Sequence, residues 1–182
     1  PKRPARQAVP PIKIFTPVTQ QMLLNPDPGD WLMFSRTYDA QRYSPLDQIN
    51  RQNVKRLRLV WMRGLATGTG EGIPIVYHGV MYKLNSANAV QALDATNGKL
   101  LWEDRRKTTD MPEDGISRLN NLAIYEDLLF YSAPDGYLVA LDASTGRMRW
   151  EIRAGPVQHH RAQPSHLAVG TLRRHGRQPR PT

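Results

Sequence analysis

The sequence contains no cysteine. That removes disulfides, thiolate metal sites and a cysteine nucleophile. No apolar run approaches the ~20 residues that a helix needs to cross a bilayer, so no transmembrane segment is expected. The basic opening, Pro1-Lys2-Arg3-Pro4-Ala5-Arg6, lacks the apolar stretch that follows in a signal peptide. Acidic residues are missing after Glu151. This last absence accounts for most of the formal net charge of +9. Six of the 25 lysines and arginines lie beyond it: Arg153, Arg161, Arg173, Arg174, Arg177 and Arg180. The remaining nineteen stand against all 16 acids in residues 1–152. The basicity is thus a property of the tail. A basic tail can bind polyanions without base preference, but a solvated tail is expected, with no specific nucleic acid as partner.

What is present falls into three parts. Residues 1–29 are Pro-rich without a clear period and read as an extended arm. Within it Thr19 can cap a short helical turn over Gln20–Leu24, stopped by Asn25-Pro26. Residues 30–152 hold an aromatic segment, Asp30-Trp31-Leu32-Met33-Phe34 with Tyr38 and Tyr43, followed by alternating apolar runs. Ile49–Val54 reads as a turn or a single helical turn. Leu57, Leu59 and Trp61 alternate with Arg56, Arg58 and Val60, a strand pattern. Residues 153–182 are rich in Arg, Pro and His and show neither caps nor hairpins.

The middle part repeats itself. Val80-Met81-Tyr82 aligns with Leu128-Leu129-Phe130, Ala92-Leu93-Asp94-Ala95 with Ala140-Leu141-Asp142-Ala143, Gly98 with Gly146 and Trp102 with Trp150. The offset is 48 throughout, without a gap. In the second copy the strands read as Leu122–Tyr125, Leu128–Ser132, Tyr137–Asp142 and Met148–Ile152. Four short strands per repeat fit a propeller blade, whereas a helical array would need long stripes of 3.6 period. Trp61 ends a similar strand and reads as the close of an earlier blade. The fold expected is all-β: a partial β-propeller of about two and a half four-stranded blades, with an irregular N-terminal arm and C-terminal tail.

The repeated unit is Ala-Leu-Asp-Ala-x-x-Gly-x-x-x-Trp, at Ala92–Trp102 and Ala140–Trp150. Its chemistry is structural. The Asp carboxylate can accept from turn amides two or more residues on, and Gly98 and Gly146 supply a positive φ. Trp102 and Trp150 each offer a flat face and one N–H, suited to a neighbouring blade's backbone. A carbohydrate or base platform is the functional alternative for these rings; packing is the expected role.

This unit resembles the tryptophan-docking motif of the eight-bladed quinoprotein (PQQ-dependent) alcohol dehydrogenases. The segment Arg42-Tyr43-Ser44-Pro45-Leu46-Asp47-Gln48-Ile49-Asn50, with Asn53–Leu57 leading to Trp61, is similar to the family's first-blade opening. The resemblance covers roughly residues 20–152 and marks the chain as an N-terminal piece of such an enzyme. It implies a fragment of an alcohol-oxidising enzyme with PQQ and calcium as cofactors and a cytochrome or the membrane quinone pool as electron acceptor. It also implies a periplasmic setting. Glu71-Gly72-Ile73-Pro74 is similar to the family's Glu-x-x-Pro strand opening, whose Glu faces the quinone. Arg118, ahead of Leu122–Tyr125, resembles the arginine that bonds the quinone oxygens or carboxylates, with Asn120 and Asn121 as alternatives. A solvated loop acid and a surface arginine are the plain readings of Glu71 and Arg118.

The family's adjacent cysteine pair is missing, and its calcium ligands and catalytic aspartate belong to later blades. No catalytic residue and no metal ligand is therefore assigned, and this chain alone is expected to be inactive and aggregation-prone. A non-enzymatic quinoprotein-like scaffold of the outer-membrane assembly type is the alternative function. His159, His160, His166 and His175 lie at irregular spacing in the tail and carry no expected metal site. The abrupt change of composition inside a repeat near residue 153 suggests a shifted reading frame.

Overall fold

A computed structural model of the chain describes residues 12, 14–65, 72–85, 89–106 and 122–155. Two four-stranded antiparallel sheets form, each a simple meander. The first comprises β1 (Ile75–Tyr77), β2 (Val80–Leu84), β3 (Ala89–Asp94) and β4 (Leu100–Arg105). The second comprises β5 (Leu122–Tyr125), β6 (Leu128–Ser132), β7 (Tyr137–Asp142) and β8 (Met148–Arg153). All four strands expected in the second copy are present, and β8 runs one residue further. The registers repeat as well: Ala92 faces Trp102 and Ala140 faces Trp150, each beside a bulge before Leu93 or Leu141. The fold is the expected all-β partial propeller, and the two sheets are neighbouring blades.

Alternation decides which side chains meet. In β6, Leu129 and Tyr131 are buried, while Leu128 and Phe130 point to the other face and are only partly covered. Leu122, Ile124, Leu129, Tyr131, Val139 and Leu141 form the second blade's inner-facing side. They join Ile75, Tyr77, Tyr82, Leu84, Val90 and Trp102 of the first blade in one hydrophobic cluster. The core is thus the seam between the blades, as expected for elements that cannot bury a face alone.

The N-terminal arm contributes to this core. Thr19 Oγ1 accepts from the Met22 amide at 3.3 Å and caps a single helix, α1 (Gln20–Leu24), as its sequence predicts. Val18 is fully buried and exchanges two backbone bonds with Glu126, in the β5–β6 turn. The Ile12 amide reaches the Ser144 carbonyl in the β7–β8 turn, at 3.2 Å. Trp31 pairs with Val76 along the free side of β1. The arm therefore straps the turn end of the second blade before the chain lines the free side of β1.

Leu57–Trp61 differs from the strand expectation. A 3₁₀ turn forms at Val54–Arg56, near the predicted helical turn. Leu57–Trp61 is extended, but it joins no sheet among the described residues. Leu59 and Val60 are 79% and 80% exposed. The alternation was real, but a strand exists only where a neighbour satisfies its amides. Even so, Trp61 occupies the place of a blade-closing residue.

Candidate functional site

Each sheet has two ends with different chemistry. At one end the chain makes tight turns between β1 and β2 and between β3 and β4. In the repeated β3–β4 type of turn, Asp94 Oδ1 accepts from the Thr96 amide at 2.9 Å. Asp142 Oδ1 accepts from the Ser144 and Thr145 amides at 3.0 and 2.9 Å. Gly98 and Gly146 have φ of +70° and +71°. Trp61 Nε1 donates to the Ala95 carbonyl and Trp102 Nε1 to the Ala143 carbonyl, both at 3.0 Å. Each indole lies flat over the glycine of that turn, so close that a Cβ there would meet ring carbons within 3.0 Å. Glycine is needed at both positions for two independent reasons, conformation and approach. Trp61 and Trp102 thus act as packing elements, whereas Trp150 is exposed.

The same end holds one group of metal-ligating types among the described residues. Ligand atoms of Asp27, Asp30 and His78 lie within 4.8 Å of one another. Asp30 Oδ1 accepts from the His78 amide at 2.9 Å, and burial pushes its carboxyl above the usual range. Arg36 sits beside it, donating to the Pro26 and Asp27 carbonyls. Asp30 is thus already engaged by the His78 amide, and Arg36 supplies a positive charge next to the group. The work of Asp30 is to hold the β1–β2 turn, where His78 has a φ of +46°.

At the other end β1 and β5 begin, reached from Gly72-Ile73-Pro74 and from the segment before Leu122. Glu71 and Arg118 lie outside the described residues, as do Asn120 and Asn121. β1 starts at Ile75 and β5 at Leu122, and the two strands pack beside each other. Each candidate thus precedes its strand by four positions in the sequence. Several described residues of this end are polar. Lys83 Nζ donates to the Gly72 carbonyl at 3.0 Å, and burial pushes its ammonium below the usual lysine range. Gln91 Nε2 donates to Glu103 at 2.7 Å within the first blade. Arg106, leaving β4, crosses to the second blade. Its guanidinium donates twice to Asp135, at 3.1 and 2.8 Å, contacts Glu151, and lies over the Tyr137 ring at 4.9 Å.

Sequence reasoning missed Lys83 and Arg106. Arg106 has no counterpart in the repeat, since Ala154 stands at the matching position, so aligning the copies could not flag it. Lys83 aligns with the buried Tyr131, and its contact with the Gly72 carbonyl depends on strand register.

The meander sheets, the tryptophan-on-glycine seams and the 48-residue repeat define a β-propeller. The family described as PQQ glucose/ethanol/alcohol dehydrogenase, beta-propeller domain, matches residues 31–121, and the chain belongs to it. The dehydrogenase subunit of the quinone-type alcohol dehydrogenase of Komagataeibacter europaeus is 43% identical over 133 residues. That match covers 71% of this chain and 18% of the relative. The quinohemoprotein alcohol dehydrogenase ADH-IIG of Pseudomonas putida is 39% identical over 132 residues, 69% of this chain and 18% of that protein. Its solved structure from strain HK5 superimposes with a TM-score of 0.68 at 34% identity, over 78% of this chain and 22% of that one. A europium-containing methanol dehydrogenase gives 0.61 at 29% identity, over 75% and 25%. The chain therefore spans about a fifth of the length of these relatives.

Proposed function

We propose that this chain forms two adjacent blades of a PQQ-dependent alcohol dehydrogenase and that their strand-opening end holds the cofactor. The observation that carries this reading is the packing of β1 beside β5: Glu71 and Arg118 each precede one of two neighbouring strands by four residues in the sequence. The residues present suit a quinone bearing carboxylates. Arg118 offers a planar fork of N–H donors, and Lys83 adds a half-buried cation that ties down the backbone one residue beyond Glu71. When bound, PQQ supplies the two-electron acceptor for the alcohol. Glu71 and Arg118 orient it; no residue of this chain is assigned the proton transfer. Calcium is proposed as the second cofactor by family resemblance. Among the acidic groups described at this end, Glu103, Asp135 and Glu151 are engaged by Gln91 and Arg106, and the calcium ligands are assigned by the same resemblance to later blades. The repeated Asp-Gly-Trp units are proposed as tryptophan-docking motifs. Domain limits of 1–29, 30–152 and 153–182, a periplasmic setting and a cytochrome or membrane quinone acceptor complete the proposal.

The test replaces the matching segment of Pseudomonas putida ADH-IIG with residues 20–152 and measures dye-linked alcohol oxidation with PQQ and calcium. The chimera is expected to turn over and the isolated 182-residue chain to show none. Turnover by the isolated chain, or a folded chimera without any, would overturn the proposal.

A further inference from the structure

One of the two repeated turns carries a reactive pair that the other lacks. Asn97 precedes Gly98 in the first blade, whereas Thr145 precedes Gly146 in the second. An asparagine before a glycine invites attack of the next backbone amide on its side-chain amide, because glycine has no Cβ to obstruct the approach. Asn97 is exposed, and its side chain is held from both ends. Its Nδ2 donates to Asp94 Oδ2 at 2.8 Å, and its Oδ1 accepts from the Lys99 amide at 2.9 Å. The second bond draws electron density from Cγ and favours attack there. The nucleophile, by contrast, is restrained. The Gly98 amide donates to the Asp94 carbonyl at 2.8 Å. The Trp61 indole lies over Gly98 so closely that a Cβ would meet ring carbons at 2.5 and 2.7 Å. Freeing the amide means rotating the turn, and the turn cannot rotate while that ring rests on it.

We propose that Asn97 is a deamidation site gated by Trp61, closed while the indole covers the turn and open when it lifts. In the open turn the Gly98 nitrogen loses its proton to solvent and attacks Asn97 Cγ. A nitrogen–carbon bond forms, the Cγ–Nδ2 bond breaks, and ammonia leaves with a proton taken from water, giving a succinimide. Water then opens that ring at either carbonyl, leaving aspartate or isoaspartate at position 97. No electrons are transferred, and water is the only co-reactant. Isoaspartate adds a methylene to the backbone between Asp94 and Lys99. The Asp94 amide then loses its 2.8 Å match to the Lys99 carbonyl, and the glycine no longer returns beneath the indole. The opening is thus recorded irreversibly in the first blade. The segment that carries Trp61 favours such openings. Leu57–Trp61 joins no sheet among the described residues, and Leu59, Val60 and Met62 are largely exposed. Local release of a segment with so little burial needs less free energy than global unfolding.

The test incubates the full 182-residue chain at neutral pH, once folded and once in unfolding urea. Conversion at position 97 is followed by mass spectrometry of the digested chain, with isoaspartate and aspartate counted together. Conversion is expected to be about tenfold or more slower in the folded chain, equivalent to roughly 1.4 kcal/mol of protection. Trp61→Ala, with its circular dichroism unchanged, should bring the folded rate close to the rate in urea. Should that variant not fold, Trp61→Phe takes its place, and a rate above the folded wild type is expected. Equal conversion in the folded and unfolded wild type overturns the proposal. So does a folded Trp61 variant that converts as slowly as the folded wild type, which would leave the protection to the turn's own hydrogen bonds.

Discussion

At the scale of single residues, the turn glycines and aspartates make the strongest demands. Gly146 combines a φ of +71° with an indole closer than a Cβ permits. Gly146→Ala must therefore strain the backbone and push Trp102 off its place. A loss of about 2–4 kcal/mol is expected, from the strain of a left-handed non-glycine residue and the disturbed core. The shift of the urea midpoint measures it. Asp142 adds a pH dependence. Burial raises its carboxyl, but the bonds from Ser144 and Thr145 outweigh that and hold it below the ordinary value. A depressed carboxyl stabilises the fold above the unfolded value, about 3.9, and that contribution is lost as pH falls through the lower folded value. Denaturant midpoints of wild type and Asp142→Asn should thus differ near neutrality and converge in that acid range. A constant difference down to the lowest pH would contradict the assignment.

Among elements, the seam between the blades has two fastenings. Trp102 closes it at the turn end and Arg106 at the strand-opening end. Arg106→Met keeps the stem over Tyr137 but leaves Asp135 and Glu151 facing each other without their cation. The side chain is 14% exposed, so a cost of about 1–3 kcal/mol is expected, less than for a fully buried pair. Urea unfolding of the variant at low and high salt checks this, and no loss at either would remove the fastening from the account. This scale also shows what could be read in advance. Strands β5 to β8 and the two turns were legible because alternation and turn chemistry are local. The strap at Val18 and Glu126 was not, because its partner lies more than a hundred positions away. Leu57–Trp61 had the strand pattern without a sheet to join. Of the site, the family resemblance pointed to Glu71 and Arg118, whereas Lys83 and Arg106 emerged only from the three-dimensional register.

For the whole molecule, two blades are joined through one core, strapped by the arm and open on the far face of β8. The chain spans about a fifth of its relatives, and its chemistry is proposed to need the rest of a propeller. The central claim is that the strand-opening end of these blades binds PQQ through Glu71 and Arg118. An absorbance titration of PQQ, with calcium present, into the ADH-IIG chimera tests it most directly. Stoichiometric uptake by the chimera is expected, with affinity at least about tenfold weaker, roughly 1.4 kcal/mol, for both Glu71→Gln and Arg118→Met. Equal affinity of both variants and the parent chimera would contradict it.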